Sequence, residues 1–198
     1  PTLPFYTFYS MFGFQRTADQ IWAAADSRAR GFLMGATAGR TTLNGEGLQH
    51  QDGHSLLFAS TVPSCRAWDP AYAYELATII SHGIEEMWEM NKDVIHYIML
   101  YNENQQQPPK PAGCDSGIVK GAYKLQESRR SDSGHVRILG SGPILQYARE
   151  AASLLESDFG VSSEVWSVTS YGELRREGLE IERHNRLNPQ SSESPYVS

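Results

Sequence analysis

Apolar and polar positions along this chain change period several times, and each change marks an element. Phe5 to Tyr9 (FYTFY) is a short aromatic run suited to a buried strand. From Phe14 the spacing turns helical, with Phe14, Ala18, Ile21, Trp22, Ala25 and Ala29 on one face. Arg28 and Arg30 fall in the last turn of that predicted helix, where cations suit the negative end, and Gly31 can close it. Phe32 to Thr37 reads as a second strand, and a polar stretch without hydrophobic period follows, Thr41 to Ser55 (TTLNGEGLQHQDGHS). Strand, helix, strand, loop is the order of a parallel crossover unit. Ligands in such sheets bind beyond the carboxyl ends of strands, where this loop begins.

Further along, VPSCRAW is a weaker strand ended by Asp69-Pro70. A helix is predicted from Ala71 to Met90, with Leu76, Ile79, Ile80, Gly83, Ile84 and Met87 facing inward. Val94 to Leu100 is the near-continuous apolar run of a strand buried on both faces. Asn102 to Gly117, polar and rich in proline, reads as an interdomain connection. Beyond it come strand VRILG, helix Pro143 to Phe159 striped by Leu145, Ala148, Ala152 and Leu155, strand EVWSVTS, and a helix from Tyr171 to Arg183. The two halves share no repeat. The chain therefore reads as parts of two α/β domains, residues 1–105 and 117–198, joined by a linker at 106–116.

Composition changes this picture only at its margins. The net charge of −6 is spread along the chain and leaves no basic patch for nucleic acid. No apolar run is long enough to span a bilayer, and the N-terminus lacks the pattern of a signal peptide. Cys65 and Cys114 make no disulfide framework and suit a reducing compartment. The expectation is a cytoplasmic protein with no membrane contact. The start at Pro1 and the loose end SSESPYVS suggest a piece of a longer chain.

Candidate chemistry gathers in the loop. Gly45-Glu46-Gly47 hints at a phosphate cradle, but the third glycine opening a helix is missing and no Walker lysine follows. Glu46, His50 and His54 are spaced like a zinc face, yet Asp52 and Gly53 argue against a helix there, so no metal site is assigned. What remains is a solvated loop or a site where imidazoles move protons near neutral pH. The aromatics around Phe12 are core by default. The turn Ser10-Met11-Phe12-Gly13 also allows a ring there to stack on a flat heterocycle. His96 reads as a satisfied core residue, and His82, His135 and His184 as surface.

Several long stretches resemble one family. PFYTFYSMFGFQR, RGFLMGATAGRTTLNGEGLQHQDGHS, DPAYAYE, YNEN, GIVKGAYKL, ILGSGPIL and EVWSVTSYGELRREG are similar to the thiamine-diphosphate-dependent first component of homodimeric bacterial pyruvate dehydrogenase complexes. The Asp52-Gly53 region is more distantly similar to a loop of transketolases, which share the architecture. The resemblance implies parts of two transketolase-like domains, each a mainly parallel sheet flanked by helices. The first is the later part of the middle, aminopyrimidine-binding domain; the second opens the C-terminal one. The diphosphate and magnesium motif, Gly-Asp-Gly followed by Asn, is not in the sequence, so magnesium would be held by a part of the enzyme absent from this chain. The activating glutamate would lie upstream of Pro1, and the piece alone should be inactive.

By the same resemblance, Phe12 stacks on the aminopyrimidine ring and Tyr9 lines that pocket. His50 stands on the substrate side as a catalytic group, with Glu46 and His54 in the same loop. Gln51 departs from the pattern, where an acidic residue is common. The implied activity is oxidative decarboxylation of pyruvate, with the acetyl group passed to the lipoyl domain of the dihydrolipoyl acetyltransferase component. The implied partners also include a second copy of the subunit. The competing readings are another 2-oxoacid or transketolase-like enzyme, or a non-catalytic scaffold of the same fold.

Overall fold

The computed structural model describes residues 2–37, 44–127 and 134–198. Its first sheet holds β1 (Phe5–Tyr9), β2 (Gly31–Ala36), β3 (Cys65–Trp68) and β4 (Ile95–Met99) in the order β1-β2-β4-β3, every pair parallel. Helix α1 (Ser10–Asp26) makes the crossover from β1 to β2, as the change of period predicts. A short α2 (Ser55–Ser60) precedes β3, and α3 (Ala73–Ile84) leads to β4. The second sheet is smaller and mixed: β5 (Tyr123–Gln126), β6 (His135–Gly140) and β7 (Ser162–Ser167) lie in the order β5-β7-β6. There β6 pairs parallel and β5 antiparallel with β7. Helices α4 (Asp115–Lys120) and α5 (Ile144–Phe159) pack against it, whereas α6 (Tyr171–Leu187) lies against β3 of the first sheet. No helix among the described residues is long and apolar enough to cross a membrane.

Several expectations need correcting. FYTFY is not a buried strand but a sheet edge, with Phe5 52% and Tyr6 60% exposed. Helix α1 starts at Ser10 rather than Phe14, so Ser10 to Gly13 form its first turn instead of a connecting loop. Gly13 there is a packing residue: a Cβ would meet the Phe8 ring at 1.8 Å. The same helix ends at Asp26, leaves Trp22 exposed, and does not include Arg28 or Arg30. Arg30 instead donates to Asp93 Oδ1 from Nη2 at 2.6 Å and to the Met87 carbonyl from Nη1 at 2.8 Å.

Helix α3 does not run regularly to Met90. At Ile84 it passes into a wider turn, Glu85–Glu89, in which Met90 N–H donates to the Glu85 carbonyl. That extra residue per turn swings Glu86 and Met87 inward and leaves Ile84 exposed. The polar connection is not loose throughout. Gln107 Oε1 accepts from Ala73 N–H, and α4 begins within it at Asp115.

The two sheets share one interface. Glu75, fully buried, accepts from Ala71 and Tyr72 N–H on its own side and from the Tyr123 and Ser167 hydroxyls on the other, at 2.6–3.1 Å. Asp69 N–H donates to the Thr169 carbonyl, and the Ser170 hydroxyl to the Ala67 carbonyl. One apolar cluster runs through the junction, with Phe32, Trp68, Ile79 and Ile98 packed with Cys114, Ile118 and Tyr123.

Candidate functional site

Parallel pairing sends the carboxyl ends of β1, β2, β4 and β3 to one edge of the first sheet. Tyr9 is the last residue of β1, and Phe12 lies one turn into α1, so both rings stand at that edge. The loop returns to them. Its first residues, 41–43, lie outside the described residues, and the rest is more ordered than a structureless loop. It forms two short 3₁₀ turns, Asn44–Glu46 and Leu48–His50, and then enters α2.

His50 reaches the aromatic pair. Its Nδ1 is 2.8 Å from the Tyr9 hydroxyl, and its ring meets Phe12 edge-on at 5.6 Å between centroids. The Tyr9 and Phe12 rings are 5.5 Å apart. Glu46 Oε2 approaches His50 Nδ1 at 3.6 Å from a side chain 61% exposed. Arg16, one turn after Phe12, lays its guanidinium over that ring at 4.6 Å. Partial burial, then the carboxylates of Glu46 and Asp52, push the Tyr9 phenol above its ordinary value. Tyr9 is therefore a hydroxyl, not a phenolate, at neutral pH.

His54 lies in the same loop but faces elsewhere. Its Nε2 is 3.2 Å from Gln15 Oε1, and its ring packs edge-on against Phe58 at 5.1 Å. The structure thus brings Tyr9, Phe12, His50 and Glu46 together and seats His54 beside them on α1 and α2. Among the described residues no three His, Cys, Asp or Glu side chains gather as a metal site.

Sequence reasoning missed what lies beneath the loop. Asp52 is buried; its Oδ1 accepts from His54 and Ser55 N–H at 3.1 and 2.9 Å, and its Oδ2 takes the Ser55 hydroxyl. The available signal was an Asp followed by Gly, whose side chain can accept from the backbone N–H two residues on. Also missed was a buried charge cluster around Glu86, which contacts Lys92 at 2.9 Å, Arg66 at 3.3 Å, and His82 and His96 at 3.4 Å. Its partners are scattered along the chain, so no local pattern reveals it.

Residues 1–108 match the model of the pyruvate dehydrogenase E1 component middle domain, and residues 121–196 match that of the transketolase-like C-terminal domain. The chain is 59% identical over its whole length to the pyruvate dehydrogenase E1 component of Pseudomonas aeruginosa and spans 22% of that protein. Against the Escherichia coli component it is 53% identical over all of the chain and 22% of the relative. Among solved structures, a Pichia stipitis transketolase superposes with a TM-score of 0.67 at 18% identity, covering 89% of this chain and 24% of that one. A Campylobacter jejuni transketolase gives a TM-score of 0.66 at 20% identity, covering 88% and 25%. Identities this low speak to the fold alone.

Proposed function

Because the chain belongs to the pyruvate dehydrogenase E1 component family, through a middle-domain model that matches more than half of it, we propose that it is part of an enzyme that decarboxylates pyruvate on thiamine diphosphate. That enzyme would then pass the acetyl group to a lipoyl domain of the dihydrolipoyl acetyltransferase component. The observation that carries the reading is the grouping of Tyr9, Phe12, His50 and Glu46 at the carboxyl edge of the first sheet. In the same reading residues 1–105 belong to the middle domain, 106–116 to a linker and 117–198 to the C-terminal domain. The enzyme works in the cytoplasm beside a second copy of itself.

The side chains suit one part of the cofactor. Phe12 presents an aromatic face whose cover, the Arg16 guanidinium, is an exposed side chain that can swing away at little cost. Phe12 and Tyr9 would hold the aminopyrimidine ring. Among the described residues no cluster of His, Cys, Asp and Glu gathers for magnesium, and this reading assigns the diphosphate and the metal to a part of the enzyme outside this chain. When bound, thiamine diphosphate supplies the electron sink that decarboxylation requires. The chain's own contribution is a placed donor. A neutral His50 that accepts from Tyr9 at Nδ1 carries its proton on Nε2, free to hydrogen-bond developing charge on the substrate. A second proton would sit on Nδ1, facing Glu46.

The test is His50→Ala in the full-length enzyme, assayed with pyruvate and with sugar phosphates. Loss of one such donor raises the barrier by about 2.7–4 kcal/mol, so pyruvate decarboxylation should fall about 10²–10³-fold. Undiminished decarboxylation and acetyl transfer would remove His50 from the chemistry. Turnover of sugar phosphates in place of pyruvate would move the chain to a transketolase-like activity.

A further inference from the structure

Asp52 is 3% exposed, and its hydrogen bonds go to the backbone of His54 and Ser55 and to the Ser55 hydroxyl. Beyond the Ser55 hydroxyl, a chain of hydrogen bonds continues. The Tyr97 hydroxyl donates to Ser55 Oγ at 2.9 Å, and Tyr97 is a fully buried residue of β4. Room for that hydroxyl comes from Gly35 on β2, where a Cβ would lie 2.4 Å from it. Burial raises the Tyr97 phenol's pKa, so it remains a donor. The relay Asp52–Ser55–Tyr97 therefore ends in the middle of the first sheet.

The described residues upstream of Asp52 are largely exposed. Gly45 and Gly47 flank Glu46; Gly47 adopts φ 98°, and both Leu48 and Gln49 are exposed. His50 sits two residues before Asp52, so whatever fixes Asp52 limits where the imidazole can go. We propose that Asp52 is a positioning residue: through Ser55 and Tyr97 it fastens the loop to the sheet and so holds His50 against Tyr9 and Phe12. The Tyr9 hydroxyl sets the rotation of the ring, and the Asp52 relay sets its location. This inference rests on the catalytic reading of His50.

The experiment is a double-mutant cycle in the full-length enzyme. Asp52→Ala should lower kcat for pyruvate decarboxylation about 10²-fold, the cost of misplacing a catalytic group by about an ångström. In a His50→Ala background the same change should lower kcat by less than about threefold, because there is no imidazole left to misplace. Tyr97→Phe, which removes only the last hydroxyl and keeps the packed ring, should give a smaller loss of about fivefold with the same dependence on His50. Losses that multiply in the double variants would overturn the proposal. A crystal structure of Asp52→Ala or Tyr97→Phe provides a readout free of activity. The proposal requires the Tyr9–His50 contact, now 2.8 Å, to open, and its retention in both variants would also overturn it. If His50→Ala alone leaves decarboxylation intact, the catalytic reading fails, and the positioning claim stands or falls on that distance.

Discussion

Two histidine–glutamate pairs in this molecule are built from the same side chains at nearly the same separation. His50 and Glu46 approach to 3.6 Å, and His96 and Glu86 to 3.4 Å. The first pair is 29% and 61% exposed, the second 0% and 2%. Glu86 is ringed by Lys92, Arg66, His82 and His96, and His96 Nδ1 accepts from Trp68 Nε1–H at 3.0 Å. Burial alone would raise the Glu86 carboxyl, but the hydrogen bonds of His96 and Lys92, with the Arg66 charge, hold it down at about 2. At His50, Nδ1 faces Tyr9, and Nε2 has no hydrogen-bond partner among the described residues. Burial and the number of surrounding charges, not the identity of the pair, separate a structural centre from a site open to a ligand.

The largest expected effect breaks the buried pair. Glu86→Ala leaves Arg66, Lys92 and two histidines without their common counter-charge and should cost about 3–5 kcal/mol in denaturant unfolding. His50→Ala, which should cost about as much in activation barrier, should change stability by no more than about 1 kcal/mol in the same experiment. Acid sharpens the contrast. Glu86 has a folded pKa below its unfolded value, so its contribution is present above about pH 4.5 and disappears as pH falls towards 2. About 3 kcal/mol of stability should go in that window, and Glu86→Gln should flatten the slope. Glu46→Gln is the smallest change: its carboxylate is mostly exposed, and melting should show less than about 0.5 kcal/mol.

The same contrast explains what could be read from the sequence. Val94 to Leu100 reads as a strand because burial on both faces demands a continuous apolar run, and all of β4 is buried. The stripe of α5 is equally direct, with Leu145, Ala148 and Ala152 buried. Local pattern misled where a residue serves a distant neighbour. Gly13 looks like a turn but admits the Phe8 ring, and Glu86, outside the inward stripe predicted for its helix, is drawn inward by partners from β3 and β4. The β1 aromatics signal a strand without saying that it lies at an edge. Strand β5 is four residues long and carries no usable period. In the loop, spacing places Glu46 four residues before His50, but only the fold shows that both face Tyr9 while His54 faces Gln15.

In the proposed function Tyr9 and Phe12 hold the aminopyrimidine ring, and cofactor affinity tests this most directly. Stacking a heterocycle on an aromatic side chain contributes about 1–3 kcal/mol. In the full-length enzyme, Phe12→Ala should therefore raise the thiamine diphosphate Kd, measured by calorimetry at fixed magnesium, by roughly 5- to 150-fold. A Kd equal to that of the unaltered enzyme would contradict the account.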